Sequence, residues 1–182
     1  MFDLINNFEI GILDWIQNVL ANPFLDTFFK TITKLGDHGY LWIACGILLL
    51  FFKKYRKYGI VLLIALLVEY ALCNGILKNL FDRVRPYDFG QFENLLIPKL
   101  TSFSFPSGHT MSSATAATVL NMTNKRFGYV AIPLAVLIAF SRIYLYVHYP
   151  SDVLIAAILG VLVGVIVFNI FSRVFGLRKG RR

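Results

Sequence analysis

The sequence predicts an all-α, polytopic membrane helix bundle of about five to six transmembrane helices, with interfacial helices at its N-terminus. Three observations predict it. Hydrophobic residues make up 57% of the 182 residues and charged residues only 15%, where a soluble domain carries roughly a quarter. The apolar residues come in long runs, each on the scale of a bilayer crossing. Eleven of the 18 Lys and Arg residues sit in three places, 53–57, 125–126 and 173–182, each at the end of an apolar run and free of acids. That pattern reads the net charge of +8 as the positive-inside bias of a membrane protein, and no nucleic-acid partner is expected.

Residues 1–20 read as an amphipathic helix. Phe2, Ile5, Phe8, Ile12, Ile16 and Leu20 recur at helical spacing, and Asp3, Asn7, Asp14 and Asn18 mark the other face. Asn22 then caps and Pro23 opens a second helix, with Asp26 in its first turn. This helix spans roughly 20 Å, short of a hydrocarbon core of about 30 Å. Both are expected to lie in the interface, so that 1–35 forms an N-terminal amphipathic section; Glu9 and Asp14 make a crossing by residues 4–20 costly.

Five crossings follow, at about 40–52, 58–77, 106–122, 127–144 and 152–171. The third is rich in Ser, Thr and Ala, which suits a helix packed inside the bundle. Together 40–172 form the transmembrane core of a single membrane-embedded domain, and 173–182 a basic cytoplasmic tail. With five crossings the three basic clusters share one side, which the charge rule makes cytoplasmic; the connections 78–105 and 146–151 then face the outside of a plasma membrane. No cleaved signal peptide is expected. Cys45 and Cys73 lie in apolar runs and read as two buried thiols.

A particular set of polar residues gathers at the outer end: Lys78, Arg85, Ser107, Gly108, His109, Arg142, His148 and Asp152. Three fixed cations suit an anion with several oxygens, arginine as a planar fork and lysine as a point charge. A helix opening at Pro106 aims backbone N–H groups near Ser107 and Gly108 at the same anion, and Gly108 permits close approach. Phosphate is the natural guest. Pro150 is expected to open the last helix, which puts Asp152 in its first turn within reach of His148. A carboxylate on one ring nitrogen orients the imidazole and raises the nucleophilicity of the other. His109, on a different helix, is free to act as general acid and then as base.

Lys78-x6-Arg85-Pro86, Pro106-Ser107-Gly108-His109 and Ser141-Arg142-x5-His148-x3-Asp152 together resemble the three-part signature of the type 2 phosphatidic acid phosphatase superfamily. The resemblance implies a phosphohistidine on His148, oriented by Asp152, with His109 as acid and base. It implies phosphate held by Lys78, Arg85, Ser107, Gly108 and Arg142, with no metal and no cofactor. Members are commonly described with six spans, one more than the hydropathy gives here. Within the superfamily, Asn94-Leu95-Leu96-Ile97 and the run from Thr101 to Pro106 resemble small bacterial undecaprenyl-diphosphate phosphatases. The expected substrate is therefore undecaprenyl diphosphate, converted to the monophosphate on the outer face.

Two rivals stand beside this reading. A phosphatidylglycerophosphate or phosphatidic acid phosphatase shares every catalytic residue. A small lipid or anion transporter would use the polar cluster as a binding site, although binding does not need a nucleophile and orienter at this spacing. Singly, Lys78 and Arg85 also read as interfacial anchors, as do Arg83 and Lys99. His38 reads as a solvated turn residue. Glu69 reads as half of a structural hydrogen bond or ion pair within the bundle. Trp15, Trp42 and the tyrosines near span ends read as an interfacial belt.

Overall fold

The computed structural model describes residues 3–177; Phe2 of the expected first face and the basic residues 178–182 of the expected tail lie outside the described residues. Among the described residues all regular structure is helical: α1 (Asp3–Leu20), α2 (Pro23–Leu35), a 3-10 turn (Asp37–Gly39), α3 (Tyr40–Leu50), α4 (Arg56–Tyr70), a π-helical segment (Ala71–Leu77), α5 (Lys78–Phe81), α6 (Pro86–Phe89), α7 (Gly108–Thr123), α8 (Lys125–Tyr144) and α9 (Pro150–Phe175). Three helical stretches are long and apolar enough to cross a membrane, Arg56–Phe89, Lys125–Tyr144 and Pro150–Phe175, and Asp37–Phe51 is a shorter apolar helix. The remaining expected crossing, α7, has 16 residues.

α7 is the inner helix, packed by α9, α8 and α4. Its small polar residues find partners inside the bundle: Thr115 Oγ1 donates to the Gly160 carbonyl at 3.0 Å and Ser113 Oγ accepts from Trp42 Nε1 at 3.0 Å. The close approach of α9 depends on glycine. A Cβ at Gly160 would lie 2.8 Å from Ala114 Cβ and press on the Met111 carbonyl, and one at Gly164 would lie 2.9 Å from Thr118 Cβ. Small residues four apart let two helix backbones meet in lipid, where apolar burial gives little drive for association. Trp42 is thus a core residue, 2% exposed, and not part of an interfacial belt.

α1 and α2 cover the end of α8 and the corner 145–149. A second core forms there from Leu13, Ile16, Phe29, Tyr87, Tyr144, Tyr146 and Tyr149. Tyr144 OH donates to Asp26 Oδ1 at 2.6 Å and Tyr146 OH to Asp14 Oδ1 at 2.7 Å. These tyrosines are therefore internal struts and do not lie in a belt; each buries its ring and finds an acceptor on a helix of the N-terminal section. The inward face of α1 also differs from the expected apolar stripe. Asn6, Glu9, Leu13 and Ile16 are buried, while Ile5 and Phe8 are exposed. In a bilayer the apolar side chains need no cover, and it is the polar ones that seek protein partners.

The described parts of the three basic places, 53–57, 125–126 and Arg173, lie at the other end of the bundle. Lys57 Nζ donates to the Phe175 carbonyl at 3.1 Å, and Asn124 Nδ2 to Tyr55 OH at 3.4 Å.

Candidate active site

The π-helical segment widens the helix just before Lys78 and resets the face that Lys78 presents, a distortion often found at functional sites. Lys78, Arg85, Gly108, His109, Arg142 and His148 line one cavity of about 660 Å³, together with Asp37, Ser102, Glu69 and the apolar residues Ile43, Leu63, Leu66 and Leu67. Five helices (α3, α4, α5, α7 and α8) and three connections thus converge on one chamber with a charged end and an apolar wall.

His148 sits on the corner between α8 and α9, 2% exposed. Its backbone N–H donates to the Arg142 carbonyl at 3.3 Å. Pro150 opens α9, and Asp152 Oδ2 accepts from the Tyr149 backbone N–H at 3.1 Å, so the carboxylate caps the helix and faces the imidazole at once. His148 Nδ1 lies 3.5 Å from Asp152 Oδ2 and 3.5 Å from Ser104 Oγ, which itself donates to Asp152 Oδ2. That leaves Nε2 on the cavity side, 3.4 Å from Arg85 Nη1. Burial holds the His148 imidazole well below its usual pKa, and Arg85, Arg142 and Lys78 push the same way. The ring is therefore neutral, with its lone pair available.

The cations are held in different ways. Arg85 is anchored by the Ser102 carbonyl at 2.7 Å, the Val147 carbonyl at 2.8 Å and Ser102 Oγ at 3.1 Å. Lys78 Nζ donates to the same Ser102 Oγ at 3.2 Å. Arg142 is 1% exposed. Its Nη1 donates to Thr33 Oγ1, while its Nε and Nη2 have no hydrogen-bond partner among the described residues. A buried guanidinium with two unmatched donors is costly unless an acceptor comes to it.

His109 opens α7, and its Nε2 lies 2.9 Å from Asp37 Oδ1 in the turn after α2. The hydrogen bond to His109 holds the Asp37 carboxyl below the ordinary carboxylate range. Two residues of the expected set stand behind the wall. Asp152, with no exposed surface, backs His148. Ser107 Oγ accepts from Thr110 Oγ1 at 3.0 Å, and its backbone N–H donates to the Asp152 carbonyl at 3.3 Å. Of the two backbone groups expected to point at an anion, the Ser107 N–H is thus engaged in joining α7 to α9. Gly108 does face the cavity: a Cβ there would lie 4.0 Å from Lys78 Nζ.

Residues 54–175 match the PAP2 superfamily. The chain belongs to that superfamily. It is 37% identical over 161 residues, covering 88% of this chain and 71% of the relative, to a protein of Sulfolobus acidocaldarius named undecaprenyl-diphosphatase. Two solved structures share the PAP2 fold. Aquifex aeolicus LpxE superposes with a TM-score of 0.75 at 34% identity, covering 87% of this chain and 93% of that one. A transmembrane PAP2 type phosphatidylglycerolphosphate phosphatase from Bacillus subtilis superposes with a TM-score of 0.79 at 25% identity, covering 94% and 88%. The protein is a PAP2 phosphatase, a hydrolase acting on lipid phosphates.

Several residues that serve this PAP2 site escape a reading by motif. Arg83, expected as an interfacial anchor, is 2% exposed and spans from Asp152 Oδ1 to Asn6 Oδ1, Glu9 Oε2 and Ser151 Oγ. Lys99, beside it in that expectation, stays on the surface and pairs with Asp88 at 2.8 Å. Ser104 and Asp37 back the two histidines. Glu69 lines the cavity, and its Oε1 has no hydrogen-bond partner among the described residues, where a structural bond was expected. One signal was available for Arg83: an acid in a membrane helix, here Glu9, seeks a cation. No local pattern announces Asp37, because its partner lies 72 residues away.

Proposed function

We propose that the protein removes the terminal phosphate of undecaprenyl diphosphate on the outer face of the plasma membrane, through a phosphohistidine on His148. The observation that carries this is the His148 Nε2 atom, which faces a chamber that also holds Lys78, Arg85, Arg142 and His109. Phosphate oxygens bound by Lys78, Arg85, the Gly108 end of α7 and the two unmatched donors of Arg142 set the phosphorus in front of that nitrogen. Ser107 acts from behind, holding the start of α7 to Asp152.

His148 Nε2 then forms the N–P bond while the P–O bond to the lipid breaks. Its electron pair leaves with the departing oxygen, and His109 supplies the proton. In the second step His109 accepts a proton from water, the oxygen attacks phosphorus, the N–P bond breaks, and inorganic phosphate departs. Asp152, held by Arg83, Ser104 and the Tyr149 backbone, fixes the imidazole.

No metal or cofactor enters this scheme. Among the described residues no three His, Cys, Asp or Glu side chains are grouped to hold a metal ion, and the cations around the histidines oppose a divalent ion electrostatically.

The undecaprenyl assignment draws on the Sulfolobus relative named for that activity. The apolar wall of Ile43, Leu63, Leu66 and Leu67 suits a lipid tail. The outward orientation draws on the basic residues at 53–57, 125–126 and Arg173, at the helix ends away from the site. Phosphatidylglycerophosphate is the second reading, favoured by the Bacillus relative and structure.

Purified protein assayed on undecaprenyl diphosphate, phosphatidylglycerophosphate and phosphatidic acid separates these: the highest kcat/KM is expected on undecaprenyl diphosphate. A base-stable phosphoryl label is expected on the wild type and not on His148→Asn. Full phosphate release by that variant would end the proposal.

A further inference from the structure

We propose that Asp37 is a positioning residue for His109: it holds the ring through Nε2, so that Nδ1 carries the proton exchanged with the leaving oxygen. This rests on the acid–base role of His109 proposed above.

The geometry comes from two distant parts of the chain. Asp37 Oδ1 lies 2.9 Å from His109 Nε2, and both residues line the cavity. Asp37 is brought there by a tight turn. Gly36 N–H donates to the Thr33 carbonyl at 2.9 Å, and Gly39 N–H to the Gly36 carbonyl at 3.1 Å. His38 and Gly39 adopt the left-handed region, with φ of 50° and 68°.

Gly36 packs closely against the imidazole: a Cβ there would come 2.7 Å from His109 Cδ2 and 2.8 Å from Ile138 Cγ2. The same stretch touches the anion cradle, because Thr33 takes Arg142 Nη1. The turn between α2 and α3 therefore holds the carbon edge and one nitrogen of His109, and the end of α2 before it fixes an arginine.

The two imidazoles are thus each backed by a carboxylate, His148 by Asp152 and His109 by Asp37. The Asp37 carboxylate is ionised, since its bond to His109 favours the charged form. An anion on Nε2 fixes the ring orientation and stabilises the imidazolium that precedes proton donation. His109 then gives a proton to the oxygen that takes the P–O electron pair, and the neutral ring later accepts one from water.

General-acid help matters most when the leaving oxygen is a poor leaving group, so the test is the dependence on leaving group. Full-length protein in detergent is assayed for kcat/KM, which reports events up to the first irreversible step. The substrates are p-nitrophenyl phosphate, phenyl phosphate and dodecyl phosphate. Asp37→Asn, nearly isosteric and at a half-buried site, is expected to lose about tenfold or more on dodecyl phosphate and much less on p-nitrophenyl phosphate. Asp37→Glu is expected to recover part of the loss.

His109→Ala is expected to show the same slope with a larger loss, of order 10²-fold or more on the alkyl substrate. A steep His109→Ala profile with an equal Asp37→Asn loss on all three substrates would overturn the role of Asp37 alone. A flat His109→Ala profile would overturn the acid–base role and the Asp37 proposal together. Faster turnover by Asp37→Asn would mean that the carboxylate competes with substrate for Nε2, and would also overturn it.

Discussion

Arg83 Nη2 donates to Glu9 Oε2 at 2.6 Å, with both side chains almost completely buried. The same guanidinium donates to Asp152 Oδ1 and stacks on the Tyr149 ring, 3.9 Å from its centroid. Glu9 in turn accepts from the Ser151 backbone N–H at 2.6 Å. α1 is in this way bolted to the carboxylate that backs His148.

Breaking that pair from one side leaves a buried charge without its partner. Arg83→Ala is expected to lose about 3–5 kcal/mol of stability, seen as a lower Tm in detergent, with a fall in kcat. The double variant Arg83→Met, Glu9→Leu is expected to be less unstable than the sum of its single changes, because the Glu9 charge is then no longer stranded and only Asp152 loses its partner. Additive single effects would show that the two groups do not interact as described.

Burial and three cations lower the pKa of His148. A lowered imidazole pKa means that the neutral, nucleophilic form persists as pH falls, and protonation comes only well below 6.5. In 13C NMR of histidine-labelled protein, the resonance lost in His148→Asn is expected to keep its neutral shift at pH 6.5 and below. A titration midpoint at or above pH 6.5 would contradict the site's electrostatics.

Arg142 presents two donor nitrogens, Nε and Nη2, that no described residue engages. Lysine keeps the charge but lacks the planar fork. Arg142→Lys is expected to lower kcat/KM by about 10–100-fold, as for one or two charge-assisted hydrogen bonds lost in the complex, and to weaken inhibition by inorganic phosphate. Unchanged phosphate inhibition would remove Arg142 from the cradle.

Gly160 lies against the α7 backbone, with Ala114 Cβ 2.8 Å from where its own Cβ would stand. Backbone cannot step aside as a flexible side chain can. Gly160→Ala is expected to cost about 1–3 kcal/mol, read as a lower Tm, and to reduce turnover by displacing His109 at the head of α7. A variant as stable as wild type would show that the two helices do not approach so closely.

Turnover is expected to continue unchanged after dialysis against EDTA, because in the proposed scheme fixed cations activate phosphorus and a nitrogen attacks it. Loss of activity restored by a divalent metal would contradict that chemistry.

The helices and the residues that surround the phosphate site were legible in the linear chain. Long apolar runs closed by basic clusters announce a bundle whatever its packing, since hydrocarbon admits only backbone that satisfies its own hydrogen bonds. Lys78, Arg85, Gly108, His109, Arg142 and His148 stood out because each falls at the end of a helix or connection, and they do meet in one cavity. Asp152 was legible because its link to His148 is local, one helical turn.

The residues behind them were not. Asp37, Arg83, Glu9 and Ser104 act across separations of 44 to 142 residues, and nothing in a local pattern distinguishes a buried cation from an interfacial one. The inward face of α1 and the burial of Tyr144, Tyr146 and Tyr149 belong to the same class. In a membrane, hydrophobic periodicity reports contact with lipid or with protein alike, so packing alone sorts one from the other.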